Sequence, residues 1–128
     1  MAAEVSETDV RAFSLLSAAG RIAIGLGMLV APEPALRVLG FSDVNAATVA
    51  VARIAGVRDL VLGGATLAAL DRPDRLRTAT IGNATADAGD SLAFCMAIRA
   101  GERTAGLRGV ATALPATLAG LWVAWRLS

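Results

Sequence analysis

The sequence contains no histidine and no lysine, and Cys95 is its single cysteine. Without histidine, haem ligation by imidazole, most zinc sites and the usual general base are excluded. Without lysine, Schiff-base chemistry is excluded as well, and with it any retinal-type chromophore. One cysteine forms neither an intrachain disulfide nor a thiolate cluster, so Cys95 is expected to pack as a small apolar residue. No metal site and no bound cofactor is expected. Charge of any kind is scarce, at 18% of residues. The 12 basic residues, all arginine, stand against 11 acidic ones, and a net +1 leaves no basic field to hold nucleic acid.

What the chain has is apolar sequence: 55% of its 128 residues are hydrophobic, above the usual range for a water-soluble domain. The segment before Arg11 carries Glu4, Glu7 and Asp9 and no basic residue. A secretory signal begins with positive charge, so the first apolar stretch is expected to remain as a helix of the mature protein. Ser6 and Asp9 have the spacing of a helix N-terminal capping pair. The run over 12–31 is interrupted by one charge, Arg21, and is long enough, at about 1.5 Å per residue, to span the roughly 30 Å hydrocarbon core of a bilayer. Pro32 and Pro34 end it.

A short helix over 34–39 follows, with Gly40 at its end, and its mixture of Leu36, Val38 and Leu39 with Arg37 suits a bilayer interface. Ser42, Asp43 and Asn45 offer caps for the next long segment. Polar turns at 71–74 and 101–103 then divide the rest into three more long segments. The expected fold is all-α: one domain of four transmembrane helices over about 7–31, 45–70, 75–99 and 108–127, with a short interfacial helix between the first two. The last segment is uncharged over 109–125 and ends in Trp122, Trp125 and Arg126, a tryptophan and snorkelling-arginine pattern of the headgroup level. Pro115 predicts a kink there. The alternative is a soluble helical bundle, but a water-facing helix needs a charged stripe and the last segment has none. The expected location is therefore the cell membrane. Arg11, Arg72, Arg75, Arg77 and Arg126 at one end outnumber Arg37, Arg99, Arg103 and Arg108 at the other by one, which favours both termini in the cytoplasm.

The charges inside the long segments fall at similar depths. Arg21 lies halfway along the first, Arg58 and Asp59 along the second, and Asp87 and Asp90 along the third, with Arg53 about 7–8 Å nearer one face. Three Arg and three Asp sum to zero, as a buried set should, because an unpaired intramembrane charge is costly. On the third segment Asn83, Asp87 and Asp90 fall within an arc of roughly 60°, and Thr80, Phe94 and Ala97 continue that stripe. On the first, Ser14, Ala18, Arg21, Gly25 and Met28 form a stripe of small residues around the arginine. Arg53, Arg58 and Asp59 point in separated directions, which makes the second segment central between two neighbours. The many glycines within helices fit close backbone approach; Gly25-Leu26-Gly27 lacks the strand and third glycine of a dinucleotide fingerprint.

Two functions suit such a cluster. One is a binding or accessory protein, in which Arg21, Arg53, Arg58, Asp59, Asn83, Asp87 and Asp90 form a charge network that fixes the bundle and holds a small amphiphile or a partner helix. The alternative is a cofactor-independent membrane enzyme, an isomerase, cyclase or hydrolase, in which Asp87 and Asp90 act as acid and base on a lipophilic substrate. Expected partners are the lipid bilayer, a lipophilic small molecule, and a second copy or another membrane protein.

Arg21 with Gly25, Pro32, the Leu39-Gly40-Phe41 turn, Arg53-Ile54-Ala55-Gly56-Val57-Arg58-Asp59 with Gly63, and Asp87 with Asp90 together resemble a family of small four-helix integral membrane proteins of unknown function, distantly similar to DoxX-like proteins. The resemblance implies a four-helix membrane topology with a shared polar centre. It implies no activity or cofactor.

Overall fold

The computed structural model describes residues 6–128; of the acidic N-terminal segment, Glu4 lies outside the described residues. The described chain is all-α, with five helices: α1 (Glu7–Val30), α2 (Pro32–Leu39), α3 (Ala46–Ala69), α4 (Pro73–Arg99) and α5 (Arg103–Arg126). Each start has a local cause. Ser6 accepts from the Asp9 amide while the Asp9 carboxylate accepts from the Ser6 amide, a reciprocal cap at α1. Of the three candidate caps before α3, Asn45 takes the role, its side-chain oxygen accepting from the amides of Ala47 and Thr48. α2 and α4 begin on Pro32 and Pro73, where the missing N–H costs nothing. Gly40, at φ +98°, closes α2 in the left-handed conformation that glycine adopts without penalty.

Three helix starts differ from expectation, α4 among them, which begins at Pro73 rather than 75. The short helix starts at Pro32 rather than Pro34, since proline is tolerated throughout a first turn. The last helix starts at Arg103 rather than 108, because the turn before it occupies only three residues and the polar residues Arg103 and Thr104 form helix as readily as the apolar run they precede. That helix runs through Pro115 without a break.

The four long helices run up, down, up and down. α1 packs most extensively on α3 and α4 on α5; the two pairs meet more lightly along α3 and α4. Glycine allows the closest approaches. A methyl group on Gly25 would lie 2.7 Å from the Gly56 carbonyl oxygen, and one on Gly56 would lie 2.7 Å from that of Gly25. The two backbones therefore touch where α1 crosses α3. On the other pair, Phe94 and Ile98 of α4 fill the space that side chains at Gly106 and Gly109 of α5 would need. Phe94 lies one turn beyond Asp90 on the same side of α4 and meets α5 there. α2 lies across one end: the Ser42 hydroxyl donates to the Glu102 carboxylate at 2.7 Å, and Arg108 donates to the Val38 carbonyl at 2.7 Å.

The distribution of size is inverted relative to a water-soluble domain. Most of the buried apolar side chains are small, Ala18, Ala52, Ala84, Ala105 and Ala113 among them beside the larger Leu36 and Leu76, and the largest fully buried ones are Val123 and Thr66. The large apolar residues point outward on every long helix, among them Leu16 (73% exposed), Ile54 (69%), Leu92, Leu118 and Trp125 (67%). Cys95 is exposed on α4. Two helices, α1 and α5, are long and apolar enough to cross a membrane; α3 and α4 carry too much charge or polarity to qualify by themselves.

Candidate functional site

The interior charges lie where the three helices α1, α3 and α4 face one another. On α3 the buried residues Ala52, Gly56, Asp59, Gly63 and Thr66 recur every three or four positions and form one stripe, so Asp59 faces inward among small neighbours. Arg21, 8% exposed, reaches from α1 into the same space. Its Nη1 lies 3.1 Å from Asp59 Oδ1 and its Nη2 lies 2.6 Å from Asp87 Oδ1; Nη2 also donates to the Asn83 backbone carbonyl at 3.2 Å. One guanidinium thereby ties α1 to both α3 and α4.

Asp59 is shared. Arg58, its neighbour in sequence, folds back so that Nε and Nη2 donate to Asp59 Oδ1 at 3.2 and 3.0 Å. The same guanidinium grips Asp90 with two parallel bonds, Nη1 to Oδ1 at 2.6 Å and Nη2 to Oδ2 at 2.7 Å. Such bidentate geometry is the strongest form of an arginine–carboxylate pair. The result is a single line of alternating sign, Asp87–Arg21–Asp59–Arg58–Asp90. Its Asp87 end is buried, and its Arg58–Asp90 end is half-buried where α3 and α4 meet loosely.

Three expectations need correction against this geometry. Arg53 is exposed on the outer side of α3, with no ion pair or hydrogen bond among the described residues, so it stands apart from the network. It lies about 100° around the helix from the buried stripe, too far to turn inward. Without it the set does not sum to zero, because two guanidiniums meet three carboxylates. Finally, Asp87 and Asp90 do not face each other as a pair; each is bound to its own arginine at opposite ends of the line.

Asn83 faces inward one turn before Asp87. Its side-chain nitrogen donates to the Thr66 hydroxyl at 2.9 Å, and Thr66 donates in turn to the Leu62 carbonyl at 2.9 Å. Thr66 was not singled out from the sequence, although its place seven residues after Asp59 on the buried face of α3 marks it. Between the two helix pairs, beside the Asp87 end of the line, lies a cleft of about 30 Å³ lined by Ser14, Ser17, Thr66, Thr80, Asn83 and Asp87. Phe13 and Gly120 form part of its apolar wall. The volume suits about two water molecules and is some tenfold below the roughly 300 Å³ at which small-molecule pockets begin. Asp90 is not on its wall.

No family model, curated protein or solved structure matches the chain.

Proposed function

We propose that the chain is an integral membrane protein whose four long helices cross the bilayer with α2 lying at one interface, and that its interior charge line serves a binding or accessory role. The observation that carries this reading is the inverted distribution of side chains: alanine, glycine, threonine and the ion pairs inside, leucine, valine, isoleucine and tryptophan outside. In water, an outer surface with so many large apolar residues is an interaction or aggregation liability. In lipid it is the expected solvent-facing side, and small interior residues are what helix packing there uses. α3 and α4 cross as partners of α1 and α5, since their charges meet opposite charges on neighbouring helices. The resemblance to DoxX-like four-helix proteins points the same way. Arg53, placed outward, joins Arg37, Arg99, Arg103 and Arg108 near the α2 end, so five arginines stand at each end and the earlier preference for cytoplasmic termini disappears.

The ion pairs fix which helices meet and at what height, and the half-buried Arg58–Asp90 end is the place where the polar group of a small amphiphile or a residue of a partner helix reaches the line. The geometry favours this over the enzymatic alternative, because both aspartates are bound to guanidiniums and the cleft is too small for a lipophilic substrate. Cell fractionation after expression of the full chain tests the membrane assignment. The protein is expected to stay with the membranes through alkaline carbonate and to leave them only in detergent. Recovery of a folded monomer in the soluble fraction would overturn it.

A further inference from the structure

The cleft beside Asp87 has a chemical bias. The Ser14 hydroxyl donates to the Val10 carbonyl at 2.8 Å, and the Thr80 hydroxyl donates to the Leu76 carbonyl at 2.8 Å. Each has spent its hydrogen on its own helix and turns lone pairs to the space around it. Asn83 is 6% exposed, and its Oδ1 is buried without a partner. The amide orientation is set by the bond from its nitrogen to Thr66, whose own hydrogen goes to Leu62, so the end left over is the oxygen. An unmatched buried carbonyl of this kind is rare and asks for a donor or a cation. The Asp87 carboxylate, also on the cleft, meets one partner among the described residues, Arg21 at Oδ1. The other unmatched atom, Arg21 Nε, is a donor on a residue outside the cleft wall.

The charge count points the same way by an independent route. Two guanidiniums and three carboxylates leave one negative charge, and the line ends on a carboxylate at the cleft. One positive charge there continues the alternation and balances the set. α5, which closes the cleft from the far side, brings no charge between Arg108 and Arg126.

We propose that this cleft binds a monovalent metal cation of sodium size, held by the Asp87 carboxylate and the Asn83 side-chain oxygen, with the Ser14 and Thr80 hydroxyl oxygens as further ligands. Hard oxygen donors suit such an ion. A single carboxylate suits one positive charge, and the described residues contain no cluster of three acidic or thiol groups such as a divalent or transition metal would use. The volume admits the ion with a water and nothing larger. The inference goes beyond the membrane assignment and does not depend on it, so a failed sodium test leaves the fractionation result standing.

The test uses the full chain purified in detergent micelles at fixed pH and fixed ionic strength, with sodium chloride exchanged for choline chloride while thermal unfolding is followed by circular dichroism. Sodium is expected to raise Tm saturably, and choline is not. Thr80→Val, which keeps shape and loses one ligand oxygen, is expected to raise the half-saturating sodium concentration roughly tenfold, the equivalent of about 1.4 kcal/mol. Asn83→Leu is expected to abolish the response; should that variant fail to fold, Ser14→Ala takes its place beside Thr80→Val, with the same tenfold weakening expected. A Tm indifferent to the exchange of sodium for choline overturns the proposal. So does a stabilisation produced by acid alone and equal in both salts, which would assign the missing positive charge to a proton. A sodium response unchanged in Thr80→Val and Ser14→Ala overturns the site.

Discussion

Replacing Arg21 by methionine is the most direct perturbation of the charge line. Among the described residues Arg21 is the one group of α1 that reaches the set, and it holds Asp59 at 3.1 Å, Asp87 at 2.6 Å and the Asn83 carbonyl at 3.2 Å. Methionine fills most of the stem volume, so the packing loss is small, under about 1.5 kcal/mol. The electrostatic loss is larger. With the guanidinium gone, the set passes from two positive and three negative groups to one and three, and Asp87 loses its arginine partner. Stranding a buried charge in this way costs about 3–5 kcal/mol, a fifth or more of the stability of an ordinary domain. Asp87→Asn in the same chain returns the set to one excess negative charge. The double variant Arg21→Met/Asp87→Asn is therefore expected to be more stable than Arg21→Met alone by about 1–2 kcal/mol, opposite to the additive expectation for two damaging changes. Arg53→Met, on the exposed outer side, serves as the control and is expected within about 0.5 kcal/mol of the parent. Denaturant unfolding of the full chain in detergent micelles, followed by circular dichroism, measures all four proteins. If Arg21→Met proves as mild as Arg53→Met, or Asp87→Asn only deepens its loss, the ion pairs do not hold the helices together and the reasoning fails.

Gly56→Ala is expected to lower stability by about 1–3 kcal/mol, because the new methyl meets the Gly25 carbonyl oxygen at 2.7 Å, whereas Gly64→Ala, with open space around it, is expected to raise stability by about 0.5–1 kcal/mol. Equal effects in the same unfolding assay would show that α1 and α3 do not touch there. Cys95, exposed on α4, provides a native probe of the surroundings: a water-soluble maleimide is expected to modify it slowly in reconstituted bilayers and rapidly after unfolding in sodium dodecyl sulfate. Rapid modification in intact bilayers would place that side of α4 in water.

The long helices were legible because proline, glycine and charge interrupt the apolar sequence at few places. Their ends were less so, since an apolar run reports hydrocarbon and not helix: Arg103 and Thr104 precede the run of α5 yet belong to its first turn. In the interior, helical phase was informative. It brought Asp87 and Asn83 to one inward side of α4, and it separated Arg58 from Asp59 so that α3 serves α4 with one and α1 with the other. Arg53 shares the depth of the set, but the stripe through Gly56, Asp59, Gly63 and Thr66 excludes it by angle. Depth was insufficient where direction disagreed. The partnering of Asp87 and Asp90 with different arginines was not legible, because spacing along one helix says nothing of which cation arrives from the next.

The inverted packing and the charge line are connected. Helices whose large apolar residues point outward have little hydrophobic reason to prefer one neighbour or one height over another when lipid surrounds them. Small interior residues make close approach possible but tolerate sliding, since one alanine or glycine passes another easily. An ion-pair line does not tolerate it. Arg21 meets Asp59 and Asp87 together only when α1, α3 and α4 are in register, and a shift of one turn, about 5.4 Å, carries the guanidinium away from both. The line thus selects the arrangement of three helices, in the way a single buried polar group fixes register in a coiled coil. α5 is held by other means: Phe94 and Ile98 seat against Gly106 and Gly109, and Gly120 lies against Ala84. Bulky substitutions at those glycines should release α5 while the ionic core of α1, α3 and α4 persists, whereas loss of Arg21 should loosen the three and leave the α4–α5 pair intact.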